Sequence, residues 1–390
     1  MKSIYINEAV CAGCTACLSI CPKSAITMQA NAKGFLYPVI DSEICINCGL
    51  CRRVCDFSVF RKTEERPESY AVRHKNKEEV ATSRSGGFFS ALARFVIEKQ
   101  GVVYGAVLDD DLIVRHKGVA TWEECVRFKG SKYVQSEIGS EIFHECCSLL
   151  QNERWVLFSG TGCQVHGLIS FLKVKKVDMQ KLITVDFVCH GVPSPAVWKE
   201  YTDVMERDQH DTLLSVDFRD KDRFGWAAHK ESYTFEASKT YGSNWAEMYY
   251  QHVMFRDCCY QCPYTTTKRN SDFTMGDYWG IGKLVPEIND DLGVSLVLVQ
   301  NERSHRILNE IKENIECYPT DLLESLQPQL CRPVRKGREY HDFWTSYLKD
   351  PSSTIEHYFF PRGVRKIRLQ TEKKMKRLIK KILEIAGLRK

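Results

Sequence analysis

Cys11-Ala-Gly-Cys14-Thr-Ala-Cys17-Leu-Ser-Ile-Cys21-Pro22, echoed by Cys45-Ile-Asn-Cys48-Gly-Leu-Cys51-Arg-Arg-Val-Cys55, decides the reading of this 390-residue chain. Eight of the eighteen cysteines fall in these two runs, each with intervals of two, two and three residues. Structural zinc sites use two separated CxxC pairs, and a third cysteine three residues further on has no place in a single tetrahedron. A disulfide framework needs an oxidising compartment, yet residues 1–20 show no basic start followed by an apolar stretch and a cleavage site. Thiolates in this doubled pattern fit iron in cubane clusters.

The spacing resembles that of a two-cluster bacterial ferredoxin, which implies that the chain moves electrons. A cubane needs four thiolates converging from different directions, and one tight turn supplies three before the chain leaves. The fourth ligand therefore serves the other cluster. Cys11, Cys14 and Cys17 with Cys55 are expected to hold one 4Fe-4S centre, and Cys45, Cys48 and Cys51 with Cys21 the other. Asp56 follows Cys55 where Pro22 follows Cys21. Proline there only preorganises the exit from the ligand turn.

The chain is too long for a ferredoxin alone, and its hydrophobic fraction of 43% suffices for ordinary cores. No apolar run approaches the roughly 20 residues that span a bilayer, so a cytoplasmic location is expected. Net charge is +5. From Arg362 to Lys390 there are twelve Lys or Arg against Glu372 and Glu384, so the remainder is slightly acidic.

The expected fold class is α+β, with an N-terminal bicluster ferredoxin-like domain followed by a mixed α/β flavin-binding domain. Residues 1–62 form the ferredoxin module, and the charged stretch Lys62–Ser69 reads as a linker. Residues 70–210 and 211–350 are the two parts of the second domain, and 362–390 a basic tail. Apolar spacing predicts strands at Tyr70–Arg73, Val102–Leu108, Leu112–Arg115, Trp155–Phe158 and Leu182–Val188. It predicts helices at Phe88–Glu98, Ile138–Leu150, Cys163–Leu172 and Ala196–Met205. Beyond residue 210 strands are expected near Leu213–Phe218, Ser232–Phe235, Asp272–Met275 and Leu296–Val299, with helices around Asn244–Phe255 and Glu302–Asn314.

Among the other ten cysteines, Cys163 follows a predicted strand and opens a helix, and Cys189 ends the next strand in Asp186-Phe-Val-Cys-His-Gly191. The carboxyl ends of neighbouring strands open onto one crevice, so these two thiols can meet. Cys259-x2-Cys262 supplies a further pair for a third cluster. The alternative is a set of reduced cysteines packed as small hydrophobes.

Six motifs in order carry a wider resemblance: Ser83-Arg-Ser-Gly-Gly-Phe-Phe-Ser-Ala-Leu92, Gly130-Ser-Lys-Tyr-Val-Gln-Ser136, Gly160-Thr-Gly-Cys-Gln164, Cys189-His-Gly-Val-Pro-Ser194, Cys259-x2-Cys262 and Asp272-Phe-Thr-Met-Gly-Asp-Tyr-Trp-Gly280. Over roughly residues 70–345 the chain resembles the beta-subunit family of coenzyme F420 (deazaflavin) hydrogenases and dehydrogenases. The resemblance implies FAD and a proximal 4Fe-4S cluster held by Cys163, Cys189, Cys259 and Cys262. Cys258 leaves a one-residue ambiguity with Cys259. Gly162 stands where the family usually has proline, which loosens that turn but leaves the thiol. Cys125, Cys146, Cys147, Cys317 and Cys331 have no partner spacing and read as structural.

For the flavin, the Ser85-Gly86-Gly87 turn before a helix offers backbone donors and a favourable dipole to a pyrophosphate. The resemblance adds Lys132 for charge, Tyr133 as a ring to pack on the cofactor, and the Ser136 hydroxyl; otherwise they read as a solvated loop. No GxGxxG follows the first strand of a βαβ unit, which argues against a standard Rossmann site. His190 is a candidate proton donor, or an orienting neighbour of a metal centre. Asp277 is a cofactor contact or a turn residue.

Met375, Leu378, Ile379, Ile382 and Leu383 share one face of a predicted tail helix over about residues 364–387. It reads as a peripheral membrane contact, a docking helix for an acidic redox partner, or a cap on the chain's own surface. Nothing points to nucleic acid. The function expected is an iron-sulfur flavoprotein oxidoreductase exchanging electrons between clusters and FAD, to or from an organic small molecule or the deazaflavin coenzyme. The partner is a ferredoxin or a catalytic subunit. The alternative is an electron relay without its own substrate.

Overall fold

The computed structural model describes residues 7–55, 57, 63–361 and, within the tail, 371, 374, 375, 378, 379 and 382. In the N-terminal lobe an antiparallel pair, β1 (Ile26–Ala30) and β2 (Leu36–Ile40), separates the two cysteine loops. A one-turn helix follows each loop, Ala16–Ser19 and Leu50–Arg53. Sequence periodicity had no purchase on such short elements.

The chain then builds β3 (Glu68–His74), β4 (Val102–Leu108), β5 (Val114–Val119), β6 (Val156–Gly160) and β7 (Leu182–Phe187). It leaves to form a separate antiparallel sheet from β8 (Leu213–Asp217), β9 (Glu231–Phe235) and β10 (Lys239–Gly242), and returns with β11 (Phe273–Asp277), β12 (Ser295–Val299) and β13 (Ile315–Thr320). The main sheet has eight strands in the order β13-β3-β12-β11-β7-β6-β4-β5. Its centre, β4, β6, β7 and β11, is parallel, and β5, β12, β3 and β13 are antiparallel additions. The fold is mixed α/β with a ferredoxin-type N-terminal segment.

Helix Phe88–Glu98 covers one face of the sheet, packing Phe88, Leu92 and Val96 on Leu157, Ile183 and Val297. Helices Ser140–Gln151 and Gly162–Lys175 cover the other with Phe143, Leu168 and Phe171. Ala16, Ile20 and Val54 of the N-terminal lobe join that second cluster, and Phe35 and Tyr37 join the core under helix Pro195–Gln209. The N-terminal lobe is therefore seated on the main body through two apolar patches.

Most predicted elements lie where periodicity put them. The strand expected from Leu112 begins instead at Val114, because Leu112 adopts a left-handed φ of 59°. The helix expected over Asn244–Phe255 stops at Tyr249, and His252 turns left-handed three residues later. The tail residues 371, 374, 375, 378, 379 and 382 are helical, and Met375, Leu378, Ile379 and Ile382 are each more than half exposed; the rest of the expected tail helix lies outside the described residues. Among the described residues no helix is long and apolar enough to cross a membrane.

Glu231, in β9, is fully buried; its Oε1 accepts from the Ala246 amide at 2.6 Å, and its Oε2 has no partner. Burial lifts the carboxyl from 4.5 to about 7. Between those values the folded state holds a proton that the unfolded state has lost, so stability falls as pH rises, by up to about 3 kcal/mol. Glu231→Gln is expected to flatten the dependence of melting temperature on pH across this window, read by calorimetry from pH 4.5 to 7.

Candidate functional site

The two N-terminal cysteine loops curl because their inner residues take left-handed conformations. These are Gly13 and Thr15 in the first loop, at φ 68° and 65°, and Asn47 and Gly49 in the second, at 55° and 74°. Cys11, Cys14, Cys17 and Cys55 line one small cavity. Burial pushes the Cys14 and Cys17 thiols up, and the nearby Cys11 and Cys55 add to the effect. In the second loop burial raises the Cys51 thiol, with Cys48 and Cys21 beside it. Cys48 is exposed to solvent, flanked by exposed Ile44 and Ile46.

Cys163 also lines the first cavity. It sits at the start of helix Gly162–Lys175, whose first turn is closed by a reciprocal Thr161–Gln164 cap. Cys189 lies two residues past β7, and Cys259 and Cys262 on a short turn beginning at Asp257. The four approach one another. Burial lifts Cys163 to about 11 and Cys189 to about 12, and each feels Cys259; Cys262 is lifted by burial and feels the other three. Cys259 is held low instead, because the buried Cys258 thiol hydrogen-bonds to it.

This chemistry suits iron. The buried thiols need a cation to ionise, which iron supplies. Donors already face the sulfurs: the Ala25 amide to Cys21 Sγ at 3.3 Å and the Gly191 amide to Cys189 Sγ at 3.4 Å, with Thr161 Oγ1 3.2 Å from Cys163 Sγ. Hydrogen bonds to sulfur are one of the means by which proteins set cluster potentials. Among the described residues no three His, Cys, Asp or Glu side chains converge on a single-ion site.

At the carboxyl edge of the parallel strands opens a cavity of about 300 Å³, within the range of cofactor sites. Ser85, Gly87, Lys132, Tyr133, Ser136, His190 and Asp277 all line it, and so does Cys189. Gly86 lies just behind that wall. Its amide donates to Ser295 Oγ at 3.0 Å, and a Cβ there would stand 2.2 Å from the Val72 carbonyl oxygen. Gly86→Ala is expected to cost at least about 3 kcal/mol of stability, because backbone of two strands must yield; chemical denaturation measures it.

The side chains of this cavity are already engaged in ways the sequence does not announce. Lys132 Nζ donates to the carbonyls of Arg127, Phe128 and Lys129, and burial pushes it down to about 7. Ser136 Oγ accepts from Gln164 at 2.9 Å, and Tyr133 packs 4.8 Å from the Tyr249 ring. Asp277 pairs with buried Arg219 and accepts from Trp226 Nε1 at 2.9 Å, so it anchors the cavity's outer wall. Burial pushes His190 down to about 4, which leaves it neutral at physiological pH. Residues that sequence reading passed over also line the cavity: Arg84 and Trp279, inside quoted motifs, and Arg219, His229, Tyr249 and Tyr250, which carry no local signal.

Cysteine loops of this spacing on a mixed α/β body define an iron-sulfur protein of the electron-transfer oxidoreductases. Residues 10–59 match the 4Fe-4S dicluster domain, and residues 153–322 match the family described as the C-terminal part of the coenzyme F420 hydrogenase/dehydrogenase beta subunit. In chain order, then, a dicluster ferredoxin domain is followed by a domain of that beta-subunit family. It is similar to an iron-sulfur subunit of the CoB–CoM heterodisulfide reductase of Methanocaldococcus jannaschii, at 30% identity over 86 residues. That match takes in 18% of this chain and only 13% of the relative's length. Among solved structures, a chain of the F420-reducing [NiFe] hydrogenase complex from Methanosarcina barkeri aligns with a TM-score of 0.46 and 14% identity, over 76% of this chain and 94% of that one.

Proposed function

We propose that this chain is an iron-sulfur flavoprotein that carries electrons between a protein partner and an organic small molecule or deazaflavin coenzyme, in the reducing cytoplasm. One observation carries the reading: Cys163 borders the small cavity lined by Cys11, Cys14, Cys17 and Cys55, and Cys189, which feels the Cys163 thiol, borders the large one. When bound, the clusters carry single electrons and FAD collects two for delivery as a hydride equivalent.

In this reading Cys11, Cys14, Cys17 and Cys55 hold one cluster, Cys21, Cys45, Cys48 and Cys51 the second, and Cys163, Cys189, Cys259 and Cys262 the third. The exposed Cys48, Ile44 and Ile46 meet a ferredoxin or a catalytic subunit. Ser85 and Gly87, at the amino end of helix Phe88–Glu98, receive the flavin pyrophosphate, with Gly86 holding the turn from behind. Tyr133 packs on the cofactor, Lys132 adds a positive potential below its titration near 7, and Ser136 offers a hydroxyl. Asp277 keeps Arg219 and Trp226 in place at the outer wall. His190, neutral and beside Cys189, is placed to orient the organic substrate by a hydrogen bond from its ring.

The test is iron, acid-labile sulfide and flavin quantification on one anaerobically purified sample. About 12 iron atoms with one FAD per chain are expected. About 8 iron atoms without flavin would reduce the chain to a two-cluster relay for a catalytic partner.

A further inference from the structure

Arg256 is a fully buried guanidinium, 0% exposed, directly ahead of the Asp257–Cys262 turn. Its backbone is fixed on both sides, the amide donating to the Val192 carbonyl and the carbonyl accepting from the Cys259 amide at 2.9 Å. Its side chain reaches across into the ferredoxin lobe. Nε donates to the Cys11 carbonyl at 2.8 Å, Nη2 to the Leu36 carbonyl at 2.8 Å, and Nη1 to Gln135 Oε1 at 3.2 Å. Nη2 also lies 3.7 Å from Cys11 Sγ. The guanidinium stacks 4.1 Å from the centre of the Tyr37 ring.

Among the described residues no carboxylate comes within ion-pair distance of this cation. The adjacent acid, Asp257, turns away to Lys33 and Lys336. A buried charge without a counter-charge costs several kcal/mol, and a fold that keeps one has an anion in reach. Here the available anions are thiolates: Cys11 on one side, and on the other Cys259 and Cys163, both of which feel the charge of the guanidinium.

We infer that Arg256 is the shared counter-charge of two neighbouring clusters, the one held by Cys11, Cys14, Cys17 and Cys55 and the one held by Cys163, Cys189, Cys259 and Cys262. This rests on the three-cluster reading above. Each cluster gains negative charge when it takes up an electron, so a fixed cation beside both favours their reduced states and raises both potentials. Because one cation serves the pair, both shift in the same direction. The cluster of Cys21, Cys45, Cys48 and Cys51 lacks this neighbour. Arg256 acts on potential through space and is a positioning residue, not a catalytic one.

The test is an EPR-monitored redox titration of the full-length chain, with signals assigned against Cys163→Ser and Cys48→Ser proteins. Arg256→Gln is expected to lower the midpoint potentials of the two flanking clusters and leave the third unmoved, with Arg256→Lys restoring most of the loss. Unchanged flanking potentials, or an equal fall of all three, would overturn the inference. Should Arg256→Gln fail to retain iron, Gln135→Glu sets a carboxylate against Nη1 and reads the same quantity: lowered flanking potentials support the assignment, and unmoved ones reject it. Iron near 8 atoms per parent chain would defeat the three-cluster reading on its own; the potential of the Cys11 cluster then still decides whether Arg256 tunes it.

Discussion

Cys163→Ser is expected to lower the iron content of anaerobically purified protein by about four atoms per chain while leaving two ferredoxin-type clusters in place. A serine hydroxyl is a far weaker iron ligand than a thiolate at neutral pH, and the other three thiols of the set come from two segments distant in sequence. The helix itself should survive, because its cap is made by Thr161 and Gln164 and not by the cysteine. The second consequence is kinetic. Cys163 borders the small cavity and Cys189 the large one, so on the proposed three-cluster reading the substitution should abolish flavin reduction by dithionite-reduced ferredoxin while the N-terminal clusters still reduce. Iron content and stopped-flow absorbance read the two effects separately. Unchanged iron would show that Cys163 is an ordinary buried thiol.

Asp186→Ala should produce the largest loss of stability, about 3–5 kcal/mol. Asp186 and Arg269 are 0% and 2% exposed and meet at 3.0 Å. The same guanidinium holds the Phe187 carbonyl at 2.9 Å and the Thr266 carbonyl at 3.0 Å, pinning the end of β7 to the segment that follows Cys262. Without its carboxylate Arg269 is a stranded buried cation, and the backbone leading to Cys189 loses its anchor. Urea denaturation should show the lowered midpoint. The double variant Asp186→Leu, Arg269→Met should recover part of the loss, since it removes both charges together; a single variant within about 1 kcal/mol of the parent would contradict this account.

The doubled cysteine spacing was legible because a cubane imposes local geometry that one turn of chain must meet. The parallel strands and their helices were legible too: Val102–Leu108 and Phe88–Glu98 bury a continuous face, and periodicity reports burial. β13 escaped notice because Ile315–Thr320 is an edge strand carrying Pro319, with mixed exposure. β10 escaped because Lys239–Gly242 is short and largely solvated. In the large cavity, the glycine turn could be read from backbone chemistry, but His229 and Tyr250 arrive from the separate sheet and the connection after it. Only the folded path brings them to Cys189. Arg256 illustrates the limit most plainly, since in the sequence it is one arginine among many and only its burial against Cys11 gives it a role.

β3 lies between β12 and β13, so its two hydrogen-bonding partners are made more than 200 residues after it. The turn beyond β3 is latched by the same late segment, through Ser85 Oγ to the Val294 carbonyl and the Gly86 amide to Ser295. During synthesis the amino-terminal lobe is complete long before this latch exists, and the cavity stays unformed until residue 295 has left the ribosome. Such late pairing makes folding slow, and it sets an order of assembly: the cysteine loops of the lobe first, the large cavity last.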